Sequence, residues 1–354
     1  MAAGSTFPLT VRSAMGDPDR NMVYLSSRRL PDGGDAGTLL DGDGRILAEF
    51  PLAGRGHGGA VSPDGRFCVL FARRPGTSAL VIDRVQGSLA QIIRARPDRH
   101  FYGHGFFGAD GRLLFATEND FDGVRGVLGI YDATDSYRRV GEFDTGGIGP
   151  HQCLSTADGR MAVIANGGIE THPDFPRRKL NLATMAPNVT RIDLRTGACL
   201  DRQALPDALR QLSLRHIAEA PDGAIWIGGQ YQGPEQDTVP ILAVARPGDG
   251  TLTPLDTLGE DGARARHYIG SVASNPRTGQ IAVTAPRGGF AHILDGRTGQ
   301  SLRRLEIADV CGVAPMAAGF LFSDGQGGLW RDGETLSRLP GTAWDNHLTV
   351  LTAV

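Results

Sequence analysis

Lysine is almost missing from this chain. Lys179 is the only one, so nearly all of the 36 basic residues are arginine. Mutational bias in a GC-rich genome produces that pattern. So does a need for bidentate anion recognition, which a planar guanidinium serves better than an ammonium. Neither sign of charge dominates: 39 acidic residues leave a net charge of −3 and no basic stripe, which argues against a nucleic-acid partner. No apolar run approaches the roughly 18 residues needed to span a bilayer, so no membrane span is expected. The four cysteines, Cys68, Cys153, Cys199 and Cys311, lie far apart with no C-x-x-C spacing. That spacing argues against a disulfide framework and against covalent haem attachment. A G-x-S-x-G elbow, a phosphate-binding G-x-x-x-x-G-K-[ST] loop and an H-E-x-x-H zinc motif are all missing. The opening Met1-Ala-Ala-Gly-Ser-Thr-Phe7 has neither a charged n-region nor an apolar h-region, as in a chain whose export signal has been removed.

Glycine is abundant, at 50 residues with 21 prolines, and hydrophobic residues make up 40% of the 354. This is the composition of many short strands joined by tight turns around a large core. The order in the sequence is a repeat. His57-Gly-Gly-Ala-Val-Ser-Pro-Asp-Gly-Arg66, His104-Gly-Phe-Phe-Gly-Ala-Asp-Gly-Arg112 and His151-Gln-Cys-Leu-Ser-Thr-Ala-Asp-Gly-Arg160 are three copies. Runs starting at His216 and His267 continue the series. Each copy is a histidine, a short half-buried strand, a glycine-bearing turn and a second apolar run, which is a hairpin signal. A second series of turns runs out of phase at 40–44, 83–87, 132–136, 193–197, 246–250, 295–299 and 331–333. Two hairpins per repeat make four strands, and the histidine spacings of 47, 47, 65 and 51 match a propeller blade.

The sequence therefore predicts an all-β, seven-bladed β-propeller with four-stranded antiparallel blades, one domain over residues 1–354. The wide spacing reflects an insertion at 167–188. Seven blades close only if the termini share one, with strands near 21–26, 37–40 and 46–51. Its inner strand comes either from 8–14, with a turn at Gly16-Asp-Pro-Asp19, or from 347–351 at the far end. Closure removes the exposed sheet edge. An open β-solenoid is the main rival.

In a propeller the loop entering each inner strand and the loop joining the second and third strands lie on one face. His57, His104, His151, His216 and His267 are expected at that mouth, with His347 as a further candidate, and Arg55, Arg215 and Arg266 stand just before three of them. The other loop set adds Arg73 and Arg74, Glu118 and Asp120, Tyr231, Arg287, and from the insertion His172. Long polar loops on a rigid scaffold are where binding sites are placed. His104, His151, His172, His216 and His267 with Glu118 and Asp120 are the expected metal ligands. Imidazole suits zinc, copper, iron and nickel, and carboxylate shifts preference toward iron or manganese. Arg55, His57, Arg73, Arg74, Arg215, Arg266, Arg287 and Tyr231 are expected to hold an anion or metal chelate. The Gly56-His57 and Gly103-His104 pairs also fit a structural role, bonding to an aspartate in a nearby turn. Cys153 and Cys311 fit packing better than ligation. Two other functions use the same face. One is a lactonase-like hydrolase or metal-assisted oxidoreductase with a histidine base and an arginine clamp. The other is a protein-interaction platform, against which stands the shortage of aromatics in these loops beyond Phe121, Tyr231 and Phe290.

The chain resembles the DUF1513 family, bacterial proteins of unknown function. The resemblance rests on Arg55-Gly-His57, Phe71-Ala-Arg-Arg-Pro-Gly76, His100-Phe-Tyr-Gly-His-Gly105, Glu118-Asn-Asp-Phe-Asp122, Gly149-Pro-His151, Ala165-Asn-Gly-Gly-Ile-Glu-Thr-His-Pro-Asp174, Lys179-Leu-Asn181, Leu214-Arg-His216, Gln230-Tyr-Gln-Gly233 and Trp344-Asp-Asn-His347. Members of that family typically carry an export signal. Their genes often neighbour imelysin-like and dihaem-peroxidase-like proteins of periplasmic iron uptake. The resemblance implies a propeller, a periplasmic location and a link to iron or another metal, with iron-uptake proteins as partners. It implies no catalytic mechanism. A monomer that binds a metal or small molecule is the expectation.

Overall fold

The turn chemistry does what the repeat predicts. In the first series Asp64, Asp110 and Asp158 each accept the amide of the arginine two residues on, at 3.0 Å. The intervening Gly65, Gly111 and Gly159 take φ of +72°, +71° and +70°, which a side chain would resist. In the second series Asp193 accepts the amides of Arg195 and Thr196, and Asp295 those of Arg297 and Thr298. Between such turns the chain forms hairpins, and the hairpins form seven four-stranded antiparallel sheets. The computed structural model describes residues 18–175 and 178–351.

Blades one to six follow chain order, at residues 56–94, 99–144, 150–204, 212–255, 271–306 and 310–338. The seventh joins Ala343–Leu351 to Val23–Arg29, Asp35–Asp41 and Ile46–Leu52, in that order from the channel outward. The C-terminal segment is thus the inner strand of the closing blade. The alternative at 8–14 lies outside the described residues. Ser26 Oγ donates to the His347 carbonyl at 2.7 Å across this junction.

Burial follows position in the blade. Middle strands such as Ser78–Asp83 and Met161–Asn166 are buried on both faces, because neighbouring blades cover them. Outer strands such as Ser88–Arg94 are mostly exposed. Trp226 packs between blades four and five with its indole N–H given to the Gly296 carbonyl at 3.0 Å. Among the described residues no helix is long and apolar enough to cross a membrane.

The feature that matters most for the site is an irregularity. The pairing of the inner strand shifts around residues 56–59, 101–105, 150–153, 214–216 and, in the closing blade, opposite Ser26–Arg28. Each shift falls at a histidine: His57, His104, His151, His216 or His347. A β-bulge rotates a side chain away from its regular direction, and here five are redirected together. Blade six is irregular at 310–313 but carries Cys311 and Gly312 there. Blade five has a regular inner strand, Ser271–Asn275, and contributes no histidine.

Candidate functional site

The five histidines form a closed ring across the channel. Centroid separations around it are 4.9 Å for His57–His104, 5.1 Å for His104–His151, 4.9 Å for His151–His216, 4.8 Å for His216–His347 and 4.4 Å for His347–His57. His57, His104, His216 and His347 are all at least nine-tenths buried, and His151 is half-buried. The ring therefore lies inside the channel rather than at its mouth, because the histidines sit on bulged strands and not in the entry loops. Glycines make the approach possible. A Cβ on Gly58 would lie 2.5 Å from His104 Nδ1, and one on Gly103 would lie 2.7 Å from His57 Cδ2. The Thr117 hydroxyl reaches the carbonyls of His104 and His151, at 3.2 and 3.1 Å, and so ties two bulges together.

The Nε2 atoms of His57, His104, His151 and His347, and both ring nitrogens of His216, have no hydrogen-bond partner. Buried polar atoms in native proteins are nearly always paired, so this set calls for an explanation. Potential ligand atoms of His57, His104 and His347 lie within 4.8 Å of one another, and so do those of His104, His151 and His216. Burial, and then the neighbouring histidines and arginines, hold His104, His151, His216 and His347 well below the usual imidazole pKa. At neutral pH the ring is uncharged, the state in which imidazole ligates a metal.

One carboxylate orients the ring. Asp345 lies 2.8 Å from His57 Nδ1 and holds that nitrogen as the N–H donor, which leaves Nε2 as the acceptor facing the channel. Arg55 and Arg73 reach the other carboxylate oxygen, at 2.6 and 3.6 Å. Burial raises the Asp345 carboxyl, but the His57 hydrogen bond and the two arginines outweigh it and keep the group ionised. An aspartate behind a ligating histidine is a common outer-shell arrangement.

The ring divides the channel. Above it is a cavity of about 140 Å³ lined by His57, His151 and His216 with Arg73, Arg74, Arg215, Tyr102, Gln230, Tyr268 and Asn346. Below it a second space of about 270 Å³ is bounded by His104, His347, Gln152 and the small residues of the inner strands. The insertion at 167–188 meets the upper side through Thr171, whose hydroxyl lies 3.4 Å from that of Tyr102. Asn119 Nδ2 donates to the Thr171 carbonyl at 3.2 Å, and Asn181 binds the Glu170 amide and the Gly168 carbonyl.

Several expected ligands are elsewhere. Glu118 is fully buried within blade two, where it accepts from Tyr131 at 2.6 Å and Arg139 at 2.9 Å. Asp120 is taken by Arg99 and Arg125, at 2.9 and 2.8 Å. His172 stands in the insertion beside Asp122 and Phe121. His267 precedes the regular strand of blade five, at φ +60°, and bonds the Asp237 carbonyl at 2.7 Å. Tyr231 gives its hydroxyl to Asp237, and Arg266 lies exposed near Glu235. Arg287 stacks over Tyr268 at 4.5 Å. His57, expected with the other histidines and among the anion contacts, and His347 complete the ring. Asp345, two residues before His347, joins the site through His57 and was not among the expected residues.

The chain is similar in fold to Kuenenia stuttgartiensis hydrazine synthase, with a TM-score of 0.63 over 98% of this chain and 99% of that one, at 16% identity. That degree of likeness shows the propeller alone. No curated protein matches the chain in sequence. A family profile matches residues 50–351, which include every histidine of the ring, and the chain belongs to that family: DUF1513, proteins of unknown function.

Proposed function

We propose that this protein is a periplasmic binding protein that holds a transition metal on the histidine ring. The observation that carries the reading is the convergence of five uncharged imidazoles, four of them buried, with unpartnered nitrogens. Leaving those atoms unmade costs about 1–3 kcal/mol each, and one metal ion satisfies several at once. His57, His104 and His347, or His104, His151 and His216, would hold the ion, with Asp345 fixing the tautomer of His57. Glu118 and Asp120 are committed to arginines, so the donor set is imidazole alone. That set suits zinc, copper, nickel and iron, and the intrinsic affinity order among divalent ions puts copper first. Neutral ligands leave the positive charge of the ion uncompensated, and the arginine-lined cavity above gives a counter-ion access to it. The periplasmic assignment is supported by the family resemblance.

The test is elemental analysis of protein purified without an affinity metal, together with melting in the presence of zinc, copper, nickel or iron. Near-stoichiometric metal is expected. So is a rise in melting temperature, since a ligand at 100 times its Kd stabilises by about 2.7 kcal/mol. His104→Gln should abolish both effects, because His104 belongs to both triplets. A metal-free protein whose melting ignores all four ions would refute the reading.

A further inference from the structure

The upper cavity has more positive charge than its surroundings can neutralise. Arg73 shares Asp345 with Arg55. Arg74, Arg215, Lys179 and Arg287 have no carboxylate within ion-pair distance among the described residues. They come from four different places: Arg74 from blade one, Arg215 from blade four, Arg287 from blade five, and Lys179 from the insertion. Arg73, Arg74 and Arg215 line the cavity together, and Arg287 stacks over Tyr268 of the same wall. Burial lowers the Lys179 ammonium, and the charges of Arg215, Arg287 and Arg74 lower it further. Arg215 has a buried Nε with no partner, and its NH1 lies 3.5 Å from His151. Like charges held this close raise the free energy of the empty site, and a multiply charged anion relieves it.

We infer that the cavity above the histidine ring is a binding site for a small polycarboxylate. Three observations select the class. The cavity, about 140 Å³, has room for a small molecule and none for a macromolecule. The cations are mainly planar guanidinium groups spread around the wall, which match separate carboxylates bidentately better than one compact phosphate. Tyr102, Tyr268, Gln230 and Asn346 supply hydroxyl and amide groups for the uncharged parts of the ligand, and Tyr268 is fixed by Asn346 at 3.3 Å and by Arg287 above its ring. The floor of the cavity is His57, His151 and His216. If the ring holds a metal, one carboxylate of the ligand reaches it. Only this last point rests on the metal reading; the cation cluster does not need it.

The experiment is calorimetric titration of chelator-treated protein with citrate, acetate and inorganic phosphate at one ionic strength. Citrate is expected to bind at a single site at least tenfold more tightly than either of the others. Arg74→Gln should weaken citrate by on the order of tenfold, the loss of a charge-assisted hydrogen bond. Arg287→Gln at the rim serves if Arg74→Gln does not fold. Arg266→Gln, an exposed arginine paired to Glu235, should leave citrate binding unchanged. Equal weak binding of citrate and acetate would overturn the proposal, as would equal losses in Arg74→Gln and Arg266→Gln. Phosphate binding without citrate binding would overturn the carboxylate class. Because the protein is metal-free throughout, none of these outcomes depends on whether the ring ligates a metal.

Discussion

Acidification should destabilise the metal-free protein steeply. His104, His151, His216 and His347 are held neutral by burial and by one another. In the unfolded chain each takes up a proton as pH falls through about 6.5. The folded state does not, so protons favour unfolding, and the stability present above that pH is lost below it. For one histidine, moving from pH 7.5 to 5.5 costs about 1.4 kcal/mol. Four together cost about 5 kcal/mol, comparable to the whole stability of many domains. The assay is urea unfolding of chelator-treated protein across that range, for the wild type and for a His104→Gln, His347→Gln double variant. Glutamine keeps a polar group at each position but does not titrate. The wild type should lose about 5 kcal/mol over the two pH units and the variant about half of that. A wild-type loss under about 1 kcal/mol, or identical slopes for both proteins, would refute the argument that the ring is buried and uncharged. Metal-loaded protein should release its ion over the same window, because protons compete for the same nitrogens.

Asp345→Asn should lower stability at pH 7 by about 1–3 kcal/mol, discounted for the solvent exposure of Arg55 and Arg73. The depressed pKa of Asp345 means its contribution is complete above the unfolded value near 3.9, so the gap to wild type should close as pH falls below about 4. The same variant should weaken metal binding by roughly 10- to 100-fold, measured by competition with a chromogenic chelator. Gly103→Ala places a side chain at φ +99° and drives its Cβ against His57, so it should cost about 2 kcal/mol in urea melts and reduce metal retention. Truncation after residue 342 removes the inner strand of the closing blade and should abolish cooperative unfolding in circular dichroism.

The propeller was legible in the sequence because turns are local. An aspartate that caps its own turn and a glycine at positive φ leave the same mark in most blades, so two turn series were enough to count seven blades and give their order. The phase of the histidines was legible for the same reason. Which of them meet is a different kind of fact. His267 has the right phase but precedes a strand without a bulge, and it turns away to the Asp237 carbonyl. His347 lies at the far end of the chain, and strand pairing with 23–29 brings it beside His57.

The acidic residues show the same limit. Glu118 and Asp120 look like ligands in a polar loop motif, yet the register of blade two sets them against Arg139, Tyr131, Arg99 and Arg125, whose charge and hydrogen bonds claim them. Asp345 stands two residues before His347, but its role appears only when blades seven and one close on each other. Local chemistry, acting over a few residues, determined the blades and the face on which polar loops gather. The bulges, the closing strand and the competition among charges act between residues distant in the chain, so which histidines close the ring, and which arginines remain to line the cavity above it, were decided by the tertiary structure.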